Sequence, residues 1–258
     1  MTPAAPKAAI ETLKFKTDGG LGQTARLGLI VLQTDQTIEH EFARIFDMPG
    51  VALYHARIPN AMEVTPDTLR QMRTEMPHTA ALLPPAFGFD AIGYACTSGA
   101  TMIGEAEVDR IIRDIHPNAK TSNPITAVKA ALGALGLRRI ALVTPYAPDV
   151  TTEMQANLAT GGFETTAVAS FNQSDDFTVA RISAQSIEQA ACRIGARDDV
   201  DGVFVSCTSL RALGVIERIE KTIGKPVVSS NQALAWHIMQ LAGLPTRGAP
   251  YGTLFGST

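Results

Sequence analysis

This chain of 258 residues is poor in the features that mark whole classes of protein. No apolar run approaches the eighteen or more residues that cross a bilayer, so no transmembrane helix is expected. Met1 to Lys16 alternate Ala, Pro and Lys without a continuous apolar stretch; no secretory leader is read there, and a cytoplasmic location is expected. Lys and Arg are scattered, and a formal net charge of −3 leaves no basic patch for nucleic acid. No glycine loop of the GxGxxG or GxxxxGK kind opens a helix, which argues against a nucleotide cofactor. His40, His55, His78, His116 and His237 lack metal-ligand spacing, so no metal is expected. The three cysteines are too few, and odd in number, for a disulfide framework, and they suit a reducing compartment.

What is present is a repeat. Asp90-Ala-Ile-Gly-Tyr-Ala-Cys96-Thr97-Ser98 and Asp201-Gly-Val-Phe-Val-Ser-Cys207-Thr208-Ser209 share the pattern Asp-x5-Cys-Thr-Ser. Two of the three cysteines therefore occupy matching places, each after a strand-like run and before a helix-like one. Cys192 lies inside the helical stretch Ser183 to Ile194 and is assigned to packing. A Cys96–Cys207 disulfide is the alternative to two working thiols.

The elements repeat in the same order. In the first half, strands are read at Arg26–Leu32, Val51–Ile58 and Asp90–Ala95, with helices at Ile38–Phe46, Pro66–Met76, Thr101–Ile115 and from Pro124 to Leu135. In the second, strands at Arg139–Thr144, Phe163–Ser170 and Asp201–Ser206 are followed by helices from about Leu210 to Ile223 and after Pro226-Val-Val-Ser-Ser-Asn231. Strands alternating with helices call for parallel sheets and right-handed crossovers. The fold class expected is α/β: two pseudo-symmetric, doubly wound parallel-sheet halves with the active site in the cleft between them. Residues 1–25 form an N-terminal extension, 26–136 the first half, with part of the C-terminal segment packing on it, and 137–258 the second half and tail. Ligands of such sheets bind beyond the carboxyl ends of the strands, where both cysteines and the loops 33–37 and 145–149 fall.

Thiolate is the reactive form of cysteine, and a helix N-terminus favours it. Cys96 and Cys207 are accordingly the candidate catalytic pair. Thr97, Ser98, Thr208 and Ser209 are read as caps of the following helices and as donors to a substrate carboxylate or a developing enolate. Tyr146 and Asn172 complete the candidate substrate contacts; Asn123 and Asn231 are either helix caps or cleft residues.

The paired Cys-Thr motifs, with Gly28-Leu-Ile-Val31 and Thr144-Pro-Tyr146, resemble the aspartate/glutamate racemase superfamily, and most of all its maleate cis-trans isomerase branch. That branch also holds arylmalonate decarboxylases and ectoine-utilisation proteins. The resemblance implies a cofactor-free reaction beside a carboxylate of a small acid or amino acid, carried out by a homodimer. Cys96 would add to a double bond and Cys207 would supply a proton to the neighbouring carbon; in the racemases the same pair serves as two bases. Arylmalonate decarboxylases keep only the second cysteine, so Cys96 counts against that activity. Tyr146 matches a tyrosine that contacts substrate carboxylate. Asp35 stands where the isomerases have an asparagine, and a carboxylate there repels a bare dicarboxylate but suits an amino-bearing substrate. The stretch Asp35-Gln36-Thr37-Ile38-Glu39 looks most like the ectoine-utilisation members.

Overall fold

Short apolar runs become strands because both of their faces are covered. In the computed structural model, which describes residues 8–246, 248 and 250–256, the run Ala25–Leu32 forms β1, buried at seven of its eight positions. Residues 1–7 of the expected extension and 247, 249, 257 and 258 of the expected tail lie outside the described residues. With β2 (Val51–Ile58), β3 (Ala91–Ala95) and β4 (Lys120–Ser122), β1 builds a parallel sheet of order β2-β1-β3-β4. The strands β5 (Arg139–Thr144), β6 (Glu164–Ser170), β7 (Gly202–Val205) and β8 (Val227–Ser229) build a second, of order β6-β5-β7-β8. The two sheets repeat one topology, in agreement with the α/β class read from the sequence.

The helices are α1 (Ile38–Ile45), α2 (Pro66–Leu82), α3 (Thr97–Ile103), α4 (Glu105–Ile115), α5 (Pro124–Ala134), α6 (Pro148–Thr160), α7 (Asp176–Val179), α8 (Ala184–Gly195), α9 (Ile216–Ile223) and α10 (Ser230–Leu241). The C-terminal helix α10 leaves its own half to lie on β3, β4 and α5, while α5 reaches β8. Gly93 permits that crossing: a Cβ there would stand 2.8 Å from Ile238 Cδ1 on α10.

Four boundaries differ from expectation. Helix α2 runs through Pro77 to Leu82, although proline removes a helical hydrogen bond. Its buried stripe Leu69, Met72, Met76, Thr79 and Ala80 continues past the proline, and packing outweighs the lost bond. The helix expected from Thr101 begins at Thr97 and breaks at Gly104, whose φ of 94° ends α3 and starts α4. The edge strands β4 and β8 are three residues long and read in the sequence as loop. The helix expected from Leu210 starts only at Ile216, after a 3-10 turn at Leu213–Val215.

The repeated aspartates mark the far end of the sheets. Asp90 Oδ2 accepts the Arg26 N–H at 2.8 Å, and Asp201 Oδ2 accepts that of Arg139 at 2.8 Å. Each pins the start of a third strand to the start of a first. The five-residue spacer then delivers the cysteine to the opposite edge, where Val31 pairs with Ala95 and Val143 with Val205.

Candidate active site

The two cysteines leave their strands differently. Cys96 is itself the N-cap of α3: its Sγ accepts the Gly99 N–H at 3.2 Å. Gly99 is required there, because a Cβ would lie 2.9 Å from Cys96 Sγ and 2.5 Å from Tyr94 Oη. Cys207 opens no helix. It has a φ of 130° and begins a turn, Thr208-Ser209, that ends well before α9. The expectation of matching helix N-termini is corrected on this side, and Thr208 and Ser209 cap no helix. Positive φ in a non-glycine residue is strained backbone, and the turn is held by contacts from other elements. Ser230 Oγ, in the first turn of α10, accepts the Cys207 N–H at 3.0 Å and the Thr97 hydroxyl at 2.8 Å, so one side chain joins both thiol loops. Thr37 Oγ1 donates to the Ser209 carbonyl at 2.8 Å. Asn231 Nδ2 donates to the Thr208 carbonyl at 2.9 Å and to Glu41 Oε2 at 2.8 Å.

Both thiols line one narrow cleft, together with Thr97, Ser98, Tyr146, Asp176, Thr208 and Ser209, with a free volume of about 20 Å³, room for about one water. Cys96, Cys192 and Cys207 are free thiols in this structure. Ser98 Oγ lies 3.7 Å from Cys96 Sγ, and Tyr146 stands with both thiols and Ser98 in the lining.

The electrostatics run against the expectation of ready ionisation. Burial pushes the Cys96 thiol up to about 12, despite the Gly99 N–H and the Ser98 hydroxyl. Cys207 is pushed up as well, by burial and then by the negative charge of Asp176. In the free protein both are neutral thiols at physiological pH.

Similarity to known proteins accords with this geometry. The family model described as arylmalonate decarboxylase matches residues 27–255. The chain belongs to the arylmalonate decarboxylase family. Within the aspartate/glutamate racemase superfamily it lies on the maleate isomerase branch. It is 37% identical to arylmalonate decarboxylase of Bordetella bronchiseptica over 132 residues, 50% of this chain and 55% of that protein. It is 27% identical to maleate isomerase of Nocardia farcinica, over 85% of this chain and 91% of that one. Among solved structures, the maleate isomerase Iso from Pseudomonas putida S16, as a cysteine-to-alanine variant with maleate, superimposes with a TM-score of 0.83 at 25% identity; 91% of this chain and 98% of that one are covered.

In this member of the family, Cys96, Thr97, Ser98, Tyr146, Cys207, Thr208 and Ser209 meet in the cleft. Asn172 does not. It is exposed beyond β6, with its N–H donated to Ser170 Oγ, because the chain turns outward there at a φ of 51°. Asp35 stands behind the lining, its Oδ1 accepting the Thr37 and Ile38 N–H groups at 2.7 and 2.8 Å. Asn123 caps α5, whereas Asn231 holds the Cys207 turn. Sequence reasoning missed Asp176, Glu41, Asn60, Tyr94 and Ser230. Asp176 enters because residues 62–64 and 174–176 bridge the halves: the Val64 N–H donates to the Ser174 carbonyl at 2.7 Å, and that of Asp176 to Met62 at 3.0 Å. Only the Ser230 position had a signal, being the serine that pairs with Ser122 in the repeat.

Glu41 gives a stability prediction. Burial pushes its carboxyl up to about 7, against the lowering contacts of Asn231 and Leu213. A carboxyl raised in the folded state contributes stability that is fully present below its unfolded pKa, near 4.5, and lost as pH rises through about 7. The Glu41→Gln variant lacks this term. Between pH 5 and 8 the wild type should lose roughly 2 kcal/mol relative to the variant, from the size of that shift, in urea denaturation; parallel pH curves would refute it.

Proposed function

We propose that this protein is a cofactor-independent two-cysteine isomerase acting beside the carboxylate of a small acid or amino acid. The single observation that carries the reading is the convergence of both thiols on one cleft, with Ser98 and Tyr146 beside them in the lining. In a catalytic cycle, Cys96 Sγ bonds to one carbon of a double bond as its proton leaves through Ser98 and Tyr146. Cys207 gives its proton to the adjacent carbon and is reprotonated from Tyr146. The former double bond is now single and rotates. In the reverse direction Cys207 returns its proton through Tyr146 and Ser98 to the departing Cys96 sulfur as it takes the proton from the carbon; the carbon–sulfur bond breaks, and the trans alkene leaves with both thiols restored. The substrate carboxylate is received by donors of Thr97, Ser98, Thr208 and Ser209, which favour the enolate-like charge that develops during addition. Support comes from a solved relative of Nocardia farcinica, a cysteine-to-serine variant of maleate cis-trans isomerase bearing a covalently bound succinylcysteine intermediate. The same reading takes the enzyme to be a cytoplasmic homodimer, with ectoine breakdown as the source of an amino-bearing substrate.

Decarboxylation is the second reading, favoured by the 37% identity to arylmalonate decarboxylase over half the chain; there Cys207 alone would protonate the carbanion left by carbon dioxide. One experiment separates these activities. Maleate, aspartate, ectoine-derived diamino acids and phenylmalonate are incubated with the enzyme in deuterated buffer and followed by NMR. We expect cis-trans conversion of an unsaturated acid. Exchange at an α-carbon without isomerisation would install racemisation in its place, and carbon dioxide loss would install decarboxylation.

A further inference from the structure

Tyr94 is a fully buried phenol beside the Cys96 sulfur, and it takes no part in the lining of the cleft. Its position follows from the strand. Side chains two apart on an extended chain share a face, and β3 continues extended into Cys96, at φ −148° and ψ 113°, so Tyr94 and Cys96 project to the same side. Their tips meet at Gly99: a Cβ on that residue would stand 2.5 Å from Tyr94 Oη, 2.9 Å from Cys96 Sγ and 2.9 Å from Met72 Cε. The missing side chain leaves hydroxyl, thiol and thioether facing one point.

The Tyr94 hydroxyl has one proton to give. In the free protein it goes to Met72 Sδ at 3.6 Å, and a thioether is a weak acceptor. A thiolate is a far better one, because a hydrogen bond to a charged group is roughly twice as strong as one between neutral groups. Turning the O–H about the Cζ–Oη bond redirects the proton without moving the ring. The second half has no counterpart to this arrangement. Val205 holds the place before Cys207 that Tyr94 holds before Cys96, and it carries no donor; Gly99 is likewise matched by Leu210. Tyr146 stands in the cleft with both thiols, whereas Tyr94 is sealed off from it and serves one.

Resting on the isomerase reading of the thiols, we propose that Tyr94 is the donor that supports the Cys96 thiolate: as Cys96 loses its proton, the Tyr94 hydroxyl swings from Met72 to the sulfur and holds it together with the Gly99 N–H. Tyr94 keeps its own proton throughout. When the carbon–sulfur bond forms, the sulfur loses its charge and the hydroxyl returns to Met72. The asymmetry of the repeat then marks Cys96 as the nucleophile and leaves Cys207 the acid. The other ionisable groups around Cys96 do not replace Tyr94. Asp176 on α7 opposes the thiolate, Glu63, Tyr146 and Cys207 belong to the cleft lining, and α3 contains no ionisable side chain.

The test is Tyr94→Phe, which removes the hydroxyl and leaves the ring. Iodoacetamide labelling of Cys96 and Cys207 is followed by peptide mass spectrometry from pH 8 to 10, with Cys207 correcting for any change in access to the shared cleft. Losing a hydrogen bond to a charged group should cut the Cys96 thiolate about tenfold or more. A more basic thiolate is also a better nucleophile, so the Cys96-to-Cys207 rate ratio should fall by about threefold to tenfold. In maleate turnover, kcat should fall about tenfold with KM held within about twofold, because Tyr94 does not touch the substrate. Met72→Leu, which takes away the competing acceptor, should label at Cys96 as fast as the wild type or faster. An unchanged labelling ratio in Tyr94→Phe overturns the proposal, even if its melting temperature drops, since that is the mark of a purely structural tyrosine. Unchanged maleate kcat in Tyr94→Phe overturns it too, and so does selective slowing of Cys96 in Met72→Leu. A selective fall at Cys96 in an enzyme whose wild type turns over no unsaturated acid would sink the isomerase reading alone.

Discussion

Cys96→Ser and Cys207→Ser should each lower turnover by roughly 10³-fold or more, the scale of losing a reacting group that works as part of a unit. The fold should survive both changes. Serine is a preferred N-cap, so in Cys96→Ser the Gly99 N–H keeps an acceptor. At position 207 the main chain carries the contacts, through the N–H to Ser230 and the neighbouring carbonyls to Thr37 and Asn231. The two variants should nonetheless fail differently. In Cys207→Ser the nucleophile remains and the proton donor is weak, so incubation with an activated unsaturated acid should leave an adduct on Cys96, visible as added mass on its peptide. Cys96→Ser should show none. Wild-type turnover in either variant, or an adduct on Cys207 alone, would contradict the assigned roles.

In the absence of substrate, iodoacetamide should modify the cleft cysteines about 10³-fold more slowly at pH 8 than an ordinary thiol of pKa about 8.5. The reason is the small thiolate fraction of a group pushed up to about 12, as Cys96 is by burial. The rate should climb about tenfold per pH unit well beyond pH 9. Cys192, half-buried on α8 and itself pushed up by burial, is followed in the same digest, with a small free thiol as the reference. Asp176→Asn should accelerate both cleft cysteines, because the charge of Asp176 is among the causes that raise them. Fast labelling at pH 7 with a plateau near pH 8 would mean that the thiols are already ionised, and that Ser98 and Tyr146 do not have to carry a proton.

The duplicated Asp-x5-Cys-Thr-Ser was legible because each part of it answers a local demand. The aspartate fixes strand register, the apolar residues are buried, and the cysteine follows at the carboxyl edge. The strands β2 and β5 were readable to the residue, since turn residues bound them on both sides. What escaped detection depends on contacts between halves. The symmetry of the string suggested two equivalent helix caps, but the Cys207 turn is shaped by Thr37, Asn231 and Ser230 from α1's start and α10, which nothing near Cys207 in sequence announces. Asp176 sits in a polar stretch, Gln173-Ser-Asp-Asp176, that looks like any solvated loop until the bridge to Met62 and Val64 folds it inward. Asn172, four residues earlier, was the residue expected to contact substrate, and it faces solvent.

The placement of α10 has a consequence for how the protein comes into being. On the ribosome, the first sheet emerges before the helix that covers β3 and β4 and brings Ser230 to both thiol loops, which begins only at Ser230. Until then β3 and β4 lack that cover and Cys96 lacks its link to Cys207. The reactive centre is thus completed only once α10 has emerged, and a product that stops short of α10 would carry two thiols with no common site.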